Sequence, residues 1–418
     1  MATDERLIIR GGRPLKGRID ASGSKNASLY ALAATLLTPE PVTLHNVPEI
    51  ADIGEMADVL RALGARVEVS GTDVHVDAST LTETRAPDEH VVALRASFLV
   101  MGPLLGRLGE AACAPPGGDV IGVRPLDVHL AGFRALGAEV VREGPVWVAR
   151  AHPPLGARLF LDYPSVLGTV NVIFAATLAR GTTTIVNAAA EPEVQMACEM
   201  LNAMGARISG QGTGIVTVEG VERLHGVEFT VMPDRIESGT FLLAGVATRG
   251  EVEVSGAVPE HLDSLVFKLR EAGAEVETGE GGIRVRASGP LQALQLQAVP
   301  YPGYATDLQA PMAAMLTQAQ GISVVNERVF ENRLLYVGEL RAMGARLTTG
   351  GQLVLIEGPS ALVGTNVRAL DVRAGAAVVI AGLAAEGETR IRDLSHIDRG
   401  YPRLVERLQA LGADVERR

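Results

Sequence analysis

Cysteine is almost absent from this chain of 418 residues: Cys113 and Cys198 are the only two, and neither belongs to a CxxC pair. That excludes a disulfide framework and a thiolate zinc site. Long apolar runs are missing too; the longest, Ala374 to Ala385, has 12 residues, which suits a buried helix rather than a membrane span. The opening MATDERLIIR carries charge where a signal peptide needs an apolar stretch, so the expectation is a soluble, cytoplasmic protein without membrane association. Positive charge is in deficit, with 38 Lys+Arg against 49 Asp+Glu and a net charge of −11. This argues against a general nucleic-acid partner. Scarcest among the cations is lysine, present only as Lys16, Lys25 and Lys268. What remains is ordinary globular composition, 47% hydrophobic and 21% charged, long enough at roughly 150 residues per domain for two or three domains.

Against those absences stands an internal repeat. The dipeptide Gly-Ala closes an amphipathic segment six times, at Gly64, Gly137, Gly205, Gly273, Gly344 and Gly412, with intervals of 73, 68, 68, 71 and 68 residues. Apolar residues such as Val194, Ala197, Leu201 and Met204 precede each glycine at helical steps, so each is expected to end a helix in the left-handed conformation. Short alternating segments such as Arg66 to Val69 and Val74 to Asp77 follow, as in a hairpin. Next comes a helix rich in Ala and Leu, then a further strand. The unit reads as strands, helix, strand, helix, giving an α/β (α+β) fold. The sixth copy stops at ADVERR before its hairpin is complete, while the N-terminus supplies LIIRGGRPLKGRIDASG. The N-terminal strands are therefore expected to complete the C-terminal half, with two three-repeat domains, residues 25–232 and residues 1–24 plus 233–418. A solenoid would have no need for its termini to complement one another.

Equivalent positions in the repeat can be compared. At the entrance to the first helix of each copy stand Lys25 and Asn26, Arg95, Ser165, Asp234 with Arg235, Thr306 with Asp307, and Asp371 with Arg373. Cations at a helix N-terminus oppose the dipole, which an anionic ligand would explain; Ser165, Asp234 and Thr306 also read as plain N-caps. The second loop of each copy adds Asp119, Arg124 and Asp127, then Glu191 and Glu193, then Glu331 and Arg333, and finally His396, Asp398 and Arg399. Collected, Lys25, Arg95, Arg124, Arg235, Arg333, Arg373 and Arg399 would make a cationic cleft for a multiply anionic substrate. Cys113 reads as a small buried side chain, and the GQGTG of Gly210 to Gly214 as a turn.

The segments SGSKNA, LRAS, PPGG-x-x-IG-x-RP-x-D-x-H, NAA-x-EPE, PDRIE-x-GTF, TD-x-QA, VFENR and HIDRGY resemble, in order and over essentially the whole chain, the UDP-N-acetylglucosamine 1-carboxyvinyltransferase family of enolpyruvyl transferases. The resemblance implies two inside-out α/β barrel domains and transfer of the enolpyruvyl group of phosphoenolpyruvate to the 3-hydroxyl of UDP-N-acetylglucosamine, the step that begins peptidoglycan synthesis. It implies that Lys25, Arg124 and Arg399, with Asn26, hold phosphoenolpyruvate. Arg95, the stretch Arg124, Pro125, Leu126, Asp127 and Val128, and the stretch Tyr163, Pro164, Ser165 and Val166 would contact the uridine diphosphate. Asp307 would deprotonate the sugar hydroxyl, with Val329 near the sugar, and Arg235, Glu331, Arg333, Asp371 and Arg373 would complete the pocket. No metal or organic cofactor is called for.

Two departures from the family pattern matter. Asp119 stands where the family usually has a cysteine, so a protonated carboxyl would replace the thiol as acid, provided its pKa is raised; insensitivity to fosfomycin, which alkylates that cysteine, follows. PSVLGT replaces the more frequent PSVGAT, and Leu167 brings bulk where backbone would approach the nucleotide. The related transferase acting on shikimate 3-phosphate typically continues with serine after the lysine and carries an NAGT segment, where this chain has Asn26 and ALRASF. A paralogue that binds the nucleotide without turnover would not be expected to keep Lys25, Asp307 and Arg399 together.

Overall fold

All six Gly-Ala glycines adopt positive φ, between +82° and +102°, a region that costs glycine little and any residue with a Cβ much more. Each ends its helix, and the first five turn the chain into a hairpin, as the spacing predicts. The computed structural model describes residues 5–119 and 121–418, so Met1 to Asp4, part of the charged N-terminal stretch, lie outside the described residues. The chain divides into two units: Met1–Ser22, Val120–Val123 and Pro233–Arg418 make one, which holds both chain ends, and Gly23–Asp119 with Arg124–Met232 make the other. They are called below the terminal and the inserted unit. Each has its own continuous hydrophobic core.

One sheet plan recurs. In the terminal unit the strand Glu251–Ser255 takes Lys16–Asp20 as a parallel neighbour on one side and the hairpin Glu275–Gly279/Gly282–Arg286 on the other. Gly321–Glu327 does the same with Gln295–Ala298 and the hairpin Arg346–Gly350/Leu353–Gly358. The third sheet is centred on Glu388–Arg392, parallel to Asn366–Arg368. Its "hairpin" has no turn, because it is made of the two chain ends, with Leu7 opposite Arg417 and Arg10 opposite Asp414. Every hairpin then leads into the parallel strand of the next sheet, so the three sheets are linked cyclically. The inserted unit repeats the scheme around Val42–His45 and Thr182–Val186. Its third sheet has three strands, Glu110–Cys113, Val146–Arg150 and Glu139–Glu143, and the fourth is reduced to a single parallel bridge from Arg85 to Ala112. The six sheets are open, and strand pairing among the described residues closes none of them into a barrel.

Ahead of the central strand of five of these sheets runs a helix that is buried nearly all round: Lys25–Ala34 and Val166–Thr177 in the inserted unit, and Arg235–Ala247, Gln309–Leu316 and Val372–Ala384 in the terminal unit. Apolar residues on every face leave such a helix no wet side; the three of the terminal unit accordingly pack on one another in every pairing. The unusual residues fall at their entrances. Among the described residues no helix is long and apolar enough to cross a membrane.

Candidate active site

In the inserted unit Ser24 caps the helix Lys25–Ala34, its Oγ accepting from the Ala27 N–H at 3.3 Å. Lys25, the wrong sign for that end, has a protein carboxylate to balance it: its Nζ lies 2.7 Å from Oδ2 of Asp52, which is buried in the first turn of the helix Ala51–Ala62. Asp52 escaped the sequence reading. Arg95 opens the turn Arg95–Val100 and donates to the carbonyl of Arg124, while Arg124 Nη1 donates to the carbonyl of Asp119 at 3.4 Å. Burial, and after it the charge of Arg124, lower the Arg95 pKa to about 10, so it stays cationic at neutral pH. Gly118, at φ +105°, lets the loop close in; a Cβ there would sit 3.1 Å from the Arg95 Cβ.

Below Arg95 lies a buried polar knot that the sequence did not disclose. Asn171 donates to the Phe98 carbonyl at 2.9 Å and to His129 Nδ1 at 3.0 Å, and accepts from the Gly102 N–H at 2.6 Å. Burial, then Arg95, push the His129 pKa down to about 3, so the ring is neutral and its accepting Nδ1 puts the proton on Nε2. Of the proposed nucleotide contacts, Leu126, Val128, Val166 and Leu167 pack against the core, whereas Pro125, Asp127 and Tyr163 are exposed and Pro164 is half-buried. Leu167 thus rests against its own unit. Ser165 caps Val166–Thr177 through the Gly168 N–H at 3.2 Å. Asn26 and Asp119 are half-buried. Cys113 is fully buried and burial, then Asp88, drive its thiol pKa up; it is inert. An open depression of about 620 Å³ lined by Phe160, Val186, Asn187, Thr213, Gly214 and Ile215 contains none of the predicted site residues.

In the terminal unit the centre is Asp307. Its Oδ1 accepts from Arg333 Nη2 at 2.7 Å and its Oδ2 from Arg373 Nη2 at 2.9 Å. Both arginines are 5% exposed. Burial alone would raise the Asp307 pKa, but Arg373 and then Arg333 outweigh it and hold the carboxyl well below its ordinary range. Each of these two cations is thus occupied by a carboxylate. Arg373 Nη1 also donates to Tyr401 Oη at 3.1 Å, and that hydroxyl lies 3.1 Å from Thr240 Oγ1. Asp371 is buried, and its Oδ1 caps Val372–Ala384 by accepting from the N–H groups of Arg373 and Ala374 at 2.7 and 2.9 Å.

Asp234 likewise caps Arg235–Ala247, from the Ile236 and Glu237 N–H groups at 2.8 and 2.9 Å; Arg235 lies over the Tyr301 ring at 5.7 Å. Thr306 is no N-cap, since its hydroxyl donates to Glu327 at 2.7 Å. Val329 is half-buried and Glu331 exposed. Ile121 accepts from the Asn332 N–H at 3.0 Å, and Gly122 lies so near Glu331 that a Cβ would come within 2.0 Å of its Oε2. Arg399, half-buried, follows the short helix Ser395–Asp398. The C-terminal strand grips that helix: Arg417 makes two bonds to Asp398, at 2.9 and 2.8 Å. Among the described residues no group of three or more His, Cys, Asp or Glu is placed to hold a metal ion.

Residues 9–408 match the family model described as EPSP synthase (3-phosphoshikimate 1-carboxyvinyltransferase). The chain belongs to this enolpyruvyl transferase family. Within it, the chain is 49% identical over 416 residues to UDP-N-acetylglucosamine 1-carboxyvinyltransferase 2 of Carboxydothermus hydrogenoformans, and 48% identical over 417 residues to UDP-N-acetylglucosamine 1-carboxyvinyltransferase 1 of Staphylococcus aureus, in both cases covering 99% of each chain. The solved structure of the enolpyruvyl transferase NikO from Streptomyces tendae superposes with a TM-score of 0.88 at 26% identity, over 99% of this chain and 98% of that one. EPSP synthase from Acinetobacter baumannii, at 20% identity and a TM-score of 0.74 over 100% of both chains, shares the fold.

Proposed function

We infer that the protein transfers the enolpyruvyl group of phosphoenolpyruvate to the 3-hydroxyl of UDP-N-acetylglucosamine and releases phosphate, a step in making peptidoglycan precursors. What carries this reading is the near-half identity, over 99% of the chain, to enzymes bearing that name. The reaction is an addition followed by an elimination. The sugar oxygen bonds to the central carbon of phosphoenolpyruvate as a proton is added to the methylene carbon; the adduct then loses phosphate from the central carbon and a proton from the new methyl group.

In this reading Asp119 supplies the first proton and Asp307 receives the proton of the sugar hydroxyl. Lys25, Arg124 and Arg399, with Asn26, take the carboxylate and phosphate of phosphoenolpyruvate and stabilise the adduct. Arg95, residues 124–128 and residues 163–166 take the uridine diphosphate, and Arg235, Val329, Glu331 and Asp371 border the acceptor. Asp307 as found is a weak base, because Arg333 and Arg373 occupy both of its oxygens. An incoming phosphate or carboxylate is the natural competitor for a guanidinium. Drawing one arginine away raises the Asp307 pKa and frees a lone pair for the hydroxyl proton.

The test supplies phosphoenolpyruvate with UDP-N-acetylglucosamine, and in parallel with shikimate 3-phosphate, and measures phosphate and product mass. An enolpyruvyl-nucleotide is expected; turnover of the shikimate acceptor alone would overturn the reading. Asp119 also predicts that fosfomycin leaves the activity intact and that Asp119→Cys becomes rapidly inactivated by it, read as residual turnover after incubation.

A further inference from the structure

Glu327 ends the strand Gly321–Glu327 and is wholly buried. A carboxylate in that position needs its lone pairs satisfied, and it has three donors. Oε2 accepts from Thr306 Oγ1 at 2.7 Å, and Oε1 accepts from the N–H groups of Val329 and Phe330 at 2.8 and 3.2 Å. Two stretches of chain are tied together by this one side chain. Thr306 directly precedes Asp307. The Phe330 ring lies 5.4 Å from the Arg333 guanidinium, and Arg333 Nη1 reaches the Thr306 oxygen at 3.5 Å. Because the threonine proton is committed to Glu327, its oxygen faces Arg333 as an acceptor.

We propose that Glu327 is a positioning residue for enolpyruvyl transfer, fixing Thr306 and the Val329–Phe330 turn so that Arg333 meets Asp307 in the geometry seen. The proposal rests on the function inferred above, and it concerns a residue without direct substrate contact. Its signature is at Asp307. The charged groups acting on Asp307 are Arg373 and Arg333; behind them stand Glu327, which interacts with Arg333, and Asp234 and Tyr401, which act on Arg373. Loosening Arg333 raises the Asp307 pKa. Merely deleting the negative charge of Glu327 would lower it, because a carboxylate titrates lower when a neighbouring anion is removed.

Glu327→Gln, Thr306→Val and the double variant, all in the full chain, separate these effects. Thr306→Val changes no charge and little volume, so it keeps the test open even if the glutamine variant folds poorly. We expect each single variant to lower kcat by about 10- to 100-fold, the double variant to be no worse than the poorer single one, and the acid limb of kcat/KM to move to higher pH in both. Titration of ¹³C-labelled aspartate carboxyls, with Asp307 assigned through Asp307→Asn, reads the same upward shift without turnover, so a failed activity assay of the parent protein would indict the inferred function and leave this readout standing. Single variants within about twofold of the parent protein, additive losses, or an Asp307 titration that stays put or moves down would overturn the proposal.

Discussion

The two units share one plan, three sheets linked cyclically around buried helices, yet they treat part of the charge at the helix entrances differently. The terminal unit balances it internally: Asp307 is held by two buried arginines, and Arg407 pairs with Glu237, which is 1% exposed. The inserted unit balances Lys25 with Asp52 but turns Arg95 to a carbonyl and sets it beside Arg124, a like charge. In the proposed reaction one unit would give up an arginine contact and the other would take up an anion. The same fold position would then serve as a base on one side and as an anion receptor on the other.

The largest effect expected from breaking that contrast is on turnover. Asp307→Asn removes the proposed base and should lower kcat by about 10²- to 10⁴-fold, measured with both substrates saturating; a loss below tenfold would remove Asp307 from the chemistry. Stability should then separate the units. Arg373→Leu leaves a buried carboxylate short of a partner and should cost about 3–5 kcal/mol in urea unfolding, whereas Arg95→Leu removes one of two like charges and should stay within about 1 kcal/mol while raising the KM for the nucleotide. Equal losses would erase the distinction.

The smallest effect concerns pH. Burial raises the Glu237 pKa to about 7 against the opposing pull of Arg407. A carboxyl whose folded pKa is raised stabilises most below its unfolded pKa, near 4.5, and loses that contribution as pH climbs through about 7, on the order of 1–3 kcal/mol. Asp307 has the opposite sign: its contribution is complete above its unfolded pKa of 3.8 and is lost only as pH falls below that. Melting temperature should therefore decline from pH 5 to pH 8, and Glu237→Gln should flatten the decline.

Much of this architecture was legible because backbone geometry leaves a mark on residue type. A left-handed helix end selects glycine, so six Gly-Ala dipeptides announced six copies, and the truncated sixth copy announced the pairing of Leu7–Arg10 with Asp414–Arg417. The strand lost from the sheet of Glu110–Cys113, now a bridge at Arg85, left no such mark. Site residues followed the same division. Entrance residues stood out by repeating at one topological position. Their partners Asp52, Asn171 and Glu327 stand outside every quoted segment and acquire meaning only from contacts made across the chain, such as that of Asn171 with Phe98, 73 positions away. Thr306 misled for a related reason: a threonine at a helix entrance reads as a cap until a buried carboxylate on another strand claims its proton.

In the proposed reaction a carboxyl at position 119 delivers a proton to the methylene carbon. Running the reaction in D₂O and weighing the enolpyruvyl-nucleotide tests this directly. Addition of a deuteron makes a methyl group that then loses any of its hydrogens, so the product of the parent protein should carry deuterium in its vinyl methylene, and Asp119→Asn should give neither product nor label at a comparable rate. Product without deuterium, or an undiminished rate and label from Asp119→Asn, would contradict the account.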